Sequence, residues 1–304
     1  MDGFSYLVYI PSLKCKKRFL QLDNITYKTI VKFIQNNDDE YLVLYLMKII
    51  KDLCVDHIDT SKLLALDILS ILLAIRVVCI GASLDLTIKG SDNKDVNLTV
   101  DLNELLNRVA NFKYKKTRMK IDDITLTVTI PRQLIIRSDL DCIYSITVNN
   151  KTYNMHEFSD DDRDKMFNCL PATIFKQLSS KLRNATNNKK IIVLEGSDRM
   201  RDLVINLLSN DVFMYIKMLL NDSLDNIYTL YYVLASKLHF DLNYIDGIMP
   251  IESQIFINRY NDEIEQSNKS IEDSKQKENV GGMIPGPSAH EHEDEHAIPG
   301  GFKF

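Results

Sequence analysis

His290, Glu291, His292, Glu293, Asp294, Glu295 and His296 put three imidazoles and four carboxylates in one short run, a donor set able to chelate a divalent metal. A working metal site also needs a preformed scaffold and outer hydrogen bonds that orient its ligands. This run stands inside residues 281–304, which hold five of the chain's ten glycines and three of its seven prolines and almost nothing that builds a core. It therefore reads as a solvated acidic segment, and no metal is assigned to it. Its apolar flanks are Met283, Ile284 and Pro285 on one side and Ile298, Pro299 and Phe302 on the other. These suit a peptide arm that becomes ordered in a partner's groove.

The second candidate is basic. Lys113, Lys115, Lys116, Arg118 and Lys120 alternate through a stretch that also carries Phe112 and Tyr114. Cations interleaved with rings can grip phosphates and stack bases. They can also meet an acidic protein surface, and the same charges on an edge strand simply block aggregation. The net charge of -5 argues against a protein that wraps nucleic acid, so the expected partner is protein.

Other arrangements fall short of chemistry. Ile191 to Leu194 followed by Glu195, Gly196, Ser197, Asp198 and Arg199 resembles a strand and loop before a phosphate-binding helix. One glycine, with no Lys ahead of a Ser or Thr, does not make a phosphate cradle, and the stretch is expected to be an ordinary strand-to-helix turn. Asp160, Asp161, Asp162 and Asp164 lack the spacing and central Gly of a calcium loop, and cap a helix instead. His57, His156 and His239 stand apart from any Ser, Cys or Lys that they would activate. No catalytic residue, cofactor or metal ligand is assigned, and the chain is expected not to be an enzyme.

The elements around these candidates follow from periodicity. Tyr6 to Ile10, ended by Pro11, and Arg18 to Leu22 read as a basic hairpin. Asn24 to Ile34, Asp38 to Leu53 and Lys62 to Ile80 read as three helices. The third is led in by Asp59, Thr60 and Ser61 and closed by Gly81. Its apolar run is bracketed by Asp67 and Arg76 and is far short of the ~20 residues that span a bilayer, so it is a core helix and no membrane span is expected.

After Gly81 the period drops to two. Leu84, Leu86 and Ile88, a turn over Gly90 to Asp95, then Val96, Leu98 and Val100 predict a hairpin. A short helix over Leu102 to Val109 follows, then further alternation over Phe112 to Ile121, Ile124 to Ile130 and Ile143 to Val148, the last turning at Asn149-Asn150. Ser159 with Asp162 opens a helix, and Pro171 suits the first turn of another. Apolar stripes over Val212 to Leu220, Leu224 to Leu238 and Ile251 to Ile264 predict a small bundle.

The fold class is thus α+β: helices with antiparallel hairpins, a mainly helical second half, and a flexible Gly/Pro-rich end. The expected division is a mixed domain over 1–155, a helical domain over 156–267 and a tail over 268–304. At 45% hydrophobic and 26% charged residues, 304 residues suffice for real cores in more than one domain. Cys15, Cys54, Cys79, Cys142 and Cys169 are odd in number and widely spaced, which favours reduced core thiols over bridges. Met1 to Tyr9 is too short for an export leader and carries Asp2.

One family resemblance runs through this order of parts. It rests on Tyr9-Ile10-Pro11-Ser12, Phe19-Leu20-Gln21-Leu22, the helix around Asp39 to Asp52, Asp56-His57-Ile58-Asp59, and the Ala65-Leu66-Asp67 helix ending in Cys79-Ile80-Gly81. The chain resembles the baseplate hub proteins of T-even-type contractile-tailed bacteriophages. The hairpin of Leu84 to Asp101 continues the likeness, although Gly90 to Lys94 stands where some relatives are expected to carry a Cys-rich turn, so no zinc is carried over. A shorter likeness, to the terminal helical segment of hub or tail-assembly proteins, rests on Leu238 to Ile245 and on Met249-Pro250-Ile251-Glu252.

The resemblance implies a structural component of the tail baseplate hub, present in the virion and, during assembly, in the host cytoplasm. Its implied partners are other baseplate and hub proteins, with a tape-measure protein as a further candidate. The alternative it leaves open is a transient chaperone for a hub or tape-measure protein.

Overall fold

The computed structural model describes residues 4–89, 94–169, 172–174, 176–177, 180–181, 189–196 and 202–280. Gly90 to Asn93, Pro171, Ser197 to Arg199 and the segment 281–304 lie outside them. With that segment go the candidate residues Ile284, Pro285, Ile298, Pro299 and Phe302 and the His/Glu run. Two compact units are present: one takes the chain up to Leu22 and from Thr26 to Asn221, the other Asp23 to Ile25 and the chain from Asp222 onward. The sequence reading cuts the chain elsewhere, after residues 155 and 267.

The first unit opens with β1 (Ser5–Ile10) and β2 (Cys15–Leu20), paired antiparallel from Ser5↔Leu20 to Ile10↔Cys15. Val8, Ile10 and Phe19 point into the core. Asp56 takes the Arg18 amide at 2.7 Å and its guanidinium at 2.8 Å, which fastens the second strand to the chain beyond the next two helices. Those helices are α1 (Asn24–Gln35) and α2 (Asp39–Leu53). Helix α2 buries Leu42, Leu46, Ile49 and Ile50, one face at helical spacing, and leaves Tyr41 and Leu44 exposed on the other.

Helix α3 (Ala65–Cys79) is the core of this unit, buried on all sides from Ala65 to Arg76. It starts later than the sequence predicts. Asp59 caps a short 3-10 turn over Thr60–Lys62, and the α-helix begins only where Asp67 accepts the Leu64 amide at 2.8 Å. Gly81, at φ 147°, follows its end and donates to the Arg76 carbonyl at 2.9 Å.

Next come β3 (Ser83–Lys89) and β4 (Asp95–Asp101), in register from Ser83↔Asp101 to Lys89↔Asp95, and α4 (Leu102–Ala110), capped by Asp101. A four-stranded antiparallel meander follows, β5 (Thr117–Ile121), β6 (Ile124–Val128), β7 (Ile143–Val148) and β8 (Lys151–Asn154), in that spatial order. Asn149 and Asn150 both take positive φ in the β7–β8 turn, the conformation a tight hairpin needs.

Helix α5 (Asp160–Asn168) starts at the Ser159 cap, where Ser159 Oγ and Asp162 exchange hydrogen bonds. Strand β9 (Lys190–Leu194) corrects one expectation. It pairs antiparallel with β10 (Leu203–Asn206), so the element described after it is a strand and not a helix. The apolar Leu203-Val204-Ile205 run favours a strand, and Ile205 packs into the core with Ile191 and Val193. Helix α6 (Asp211–Leu220) completes the unit against α3.

In the second unit, α7 (Leu224–Ser236), α8 (Leu242–Gly247) and α9 (Pro250–Val280) pack around Ile227, Leu234, Ile245 and Ile257. Asn24, 4% exposed, ties the unit together. Its side-chain amide donates to the Ile245 carbonyl at 2.8 Å and to Ser253 Oγ at 2.7 Å, and its backbone amide to the Ile248 carbonyl at 2.9 Å. Helix α9 runs to Val280, past residue 268 where the sequence reading begins the tail. Residues 265–280 lack an apolar stripe but are rich in Glu, Lys, Gln and Ser with no Gly or Pro, which permits a solvated helix.

The fold is α+β, and every strand pair among the described residues is antiparallel. Among the described residues no helix is long and apolar enough to cross a membrane, and no cluster of His, Cys, Asp and Glu could hold a metal ion.

Candidate functional site

The basic stretch is only partly a strand. Lys113, Lys115 and Lys116 belong to the irregular connection after α4, and β5 begins at Thr117 on the edge of the four-stranded sheet. Two inward contacts hold the connection in place. The Tyr114 hydroxyl bonds Thr129 Oγ1, and the Lys115 carbonyl accepts from the Lys189 ammonium. Burial pushes the Tyr114 hydroxyl up in pKa and the Lys189 ammonium down. The five candidate cations are all exposed. Arg118 and Lys120 share the outer face of β5 while Met119 between them is buried, the two-residue period the sequence predicts.

Lys116 leaves that row and turns into a pocket. Its ammonium lies 3.2 Å from the centroid of Tyr144, which also stacks with the His156 ring at 5.4 Å. The pocket, 380 Å³, is also lined by Lys62, Arg132 and Arg163 and by Tyr114 and Phe158. Its one carboxylate, Asp141, already accepts the Arg137 amide at 2.8 Å and the Ser138 amide at 3.2 Å. Lys62 is paired with Asp59 at 3.0 Å, and the pocket sets cationic side chains beside aromatic faces.

A larger, mainly apolar basin of 610 Å³ adjoins it. Val43, Leu44 and Met47 of α2, Ile68 of α3, Leu134 and Phe167 supply its apolar surface. Glu40, Arg137 and Asp164 stand at its polar margin, with Glu40 and Arg137 3.4 Å apart. Basin and basic pocket share Arg132, Gln133, Asp141 and Arg163 as lining residues, so the two adjoin and together make up the cleft.

The walls of the cleft are fixed from below. Asp67, fully buried in α3, holds Ser12 of the β1–β2 turn through both its amide, at 2.8 Å, and its hydroxyl, at 2.6 Å. The Ala65 amide donates to the Pro131 carbonyl at 2.8 Å, which sets the segment bearing Arg132. Further along that segment, Asn210 clamps Ile136 by its amide and carbonyl at 2.6 and 3.0 Å. Burial pushes the Asp67 carboxyl up against the pull of its hydrogen bonds. The cleft is a pre-set surface with an apolar floor on one side and cations on the other, the composition of a site that holds a peptide or protein segment.

Residues 5–196 match the family described as T4 bacteriophage base plate protein. The chain belongs to this baseplate family. It is a structural component of a phage tail baseplate, a part of the virion that meets other baseplate proteins. No curated protein and no solved structure matches it. The whole cleft of this baseplate protein lies within the matched residues, whereas the shorter likeness at Leu238 to Glu252 and the segment 281–304 lie beyond them.

Of the cations read from sequence, the baseplate protein brings only Lys116 into the cleft. Lys62, Arg132, Arg163, Tyr144 and the apolar face of α2 escape sequence reasoning because five separate segments supply them. The available signal was the exposed face of α2, where Tyr41 and Leu44 repeat three residues apart outside the buried stripe.

Proposed function

We propose that this baseplate protein belongs to the hub of the tail baseplate and works in tail assembly by protein–protein contact rather than by catalysis. The observation that carries the reading is the cleft, where an apolar basin adjoins a pocket lined by four cations and one carboxylate. Such a surface recognises a protein segment by shape and charge. The exposed row of Lys113, Lys115, Arg118 and Lys120 extends the positive surface and is proposed to face a second acidic partner. Hub proteins, with a tape-measure protein as a further candidate, are the proposed partners, met first in the host cytoplasm.

Quantitative mass spectrometry of purified particles and of isolated hub intermediates tests this. The chain is expected in both, at the same ratio to the other hub proteins. Recovery with intermediates but loss from finished particles would replace the structural role with that of a transient chaperone. A chain found only with outer parts of the baseplate would remove the hub assignment.

A further inference from the structure

The cleft and the acidic segment complement each other in chemistry and in order. Within residues 290–302, Glu291, Glu293, Asp294 and Glu295 precede Ile298 and Phe302. In an extended chain Glu295 and Ile298 lie about 10 Å apart, a separation suited to neighbouring subsites. In the cleft the cations Lys62, Lys116 and Arg132 adjoin an apolar basin to which Leu44 contributes an exposed side chain.

We propose that the cleft of one copy of this chain binds residues 290–302 of a second copy, with the carboxylates against Lys116, Lys62 and Arg132 and Ile298 or Phe302 in the basin. The proposal rests on the reading of the chain as one that works by protein contact. It pairs two unlike surfaces, so it closes a two-fold dimer where the exchange is reciprocal and otherwise repeats around a ring or along a file. Asp141 spends its Oδ2 on two backbone amides, and Lys62 is paired with Asp59 at 3.0 Å, a contact that the incoming carboxylates exchange or share. Glu40 and Asp164 line the basin and not the basic pocket, and Glu40 is paired with Arg137 at 3.4 Å.

Zero-length carbodiimide coupling of the full chain tests the pairing, since it joins a carboxylate only to an amine it touches. Isotopically light and heavy chains are mixed in equal amounts, coupled and analysed by mass spectrometry. Mixed light–heavy products joining Glu293, Asp294 or Glu295 to Lys116 or Lys62 are expected. Arg132→Glu and Leu44→Asp alter exposed side chains and leave both reporter lysines in place, and each should lower the yield roughly tenfold. A free peptide of residues 290–302 should compete.

Products confined to single chains would overturn the proposal, as would coupling spread over lysines according to their exposure or yields unmoved by both substitutions. Competition by a single-stranded oligonucleotide but not by the peptide would assign the pocket to nucleic acid and also overturn it. Particles that contain the chain but lack these products would remove the pairing and leave the baseplate role standing.

Discussion

Ser12 and Asp67 are joined twice: Ser12 Oγ donates to Asp67 Oδ2 at 2.6 Å and the Ser12 amide to Oδ1 at 2.8 Å. The same carboxylate accepts the Leu64 amide at 2.8 Å. One buried side chain therefore starts the central helix and fixes the tip of the first hairpin at the edge of the cleft. Asp67→Ala strips the acceptor from three donors and should cost about 3–5 kcal/mol in urea unfolding. A loss below about 1 kcal/mol would show that water replaces the carboxylate and that the cleft edge is not anchored this way.

The same residue predicts a pH dependence. Burial raises the Asp67 pKa above its unfolded value, so the folded state holds the proton more tightly than the unfolded chain does. Its contribution is whole below the ordinary carboxylate range and is lost as pH rises through the folded value. As pH rises above the ordinary carboxylate range the native chain should therefore lose more stability than Asp67→Asn, which does not titrate. Equal slopes in the two proteins would mean that the hydrogen bonds outweigh desolvation.

Arg76, 5% exposed, performs the matching task at the far end of the helix. Its Nε donates to the Leu219 carbonyl at 2.9 Å and its Nη1 to the Gly81 carbonyl at 2.7 Å, placing a cation where α3 and α6 both end. Arg76→Met keeps most of the volume and abandons those carbonyls, for an expected loss of about 2–4 kcal/mol. Arg76→Lys should recover only part of it, because an ammonium cannot reproduce the fork. Full recovery with lysine would show that charge alone matters.

Much of this fold was legible because apolar spacing and turn residues agree. The change of period after Gly81, the Asn149-Asn150 turn and the Ser159 cap all stand where the residues place them. Asp67 and Arg76 are the instructive miss. They read as the polar ends of an apolar run, yet each is buried and bonded to distant backbone. An ionisable residue inside a wholly apolar helix must find partners, and which partners is a tertiary fact. Lys113 and Lys115 failed as strand residues for a similar reason, since Tyr114 and Lys189 draw that connection inward. The cleft as a whole was not legible, because no local period links Leu44, Lys116, Arg132 and Phe167.

Asn24 carries the second unit much as Asp67 carries the first. Asn24→Ala leaves the Ile245 carbonyl and Ser253 Oγ, both deeply buried, without its amide, and should cost about 2–3 kcal/mol. Hydrogen exchange localises the effect. Amides of α8 and of the start of α9 should exchange faster in the variant, whereas those of α3 keep their protection. Uniform acceleration across both units would show that they unfold together.

Thiol reactivity tests the packing without any substitution. Cys169 is exposed and Cys15 half-buried, while Cys54, Cys79 and Cys142 are buried. Cys79 Sγ accepts the Leu22 amide at 3.2 Å, and burial raises the Cys54 thiol above its usual pKa, which lowers its thiolate fraction. With Ellman's reagent the native chain should release one equivalent at once and a second more slowly, and all five only in denaturant. Rapid reaction of Cys79 would place the junction of the first hairpin and α3 in solvent and remove the support that α3 gives the cleft.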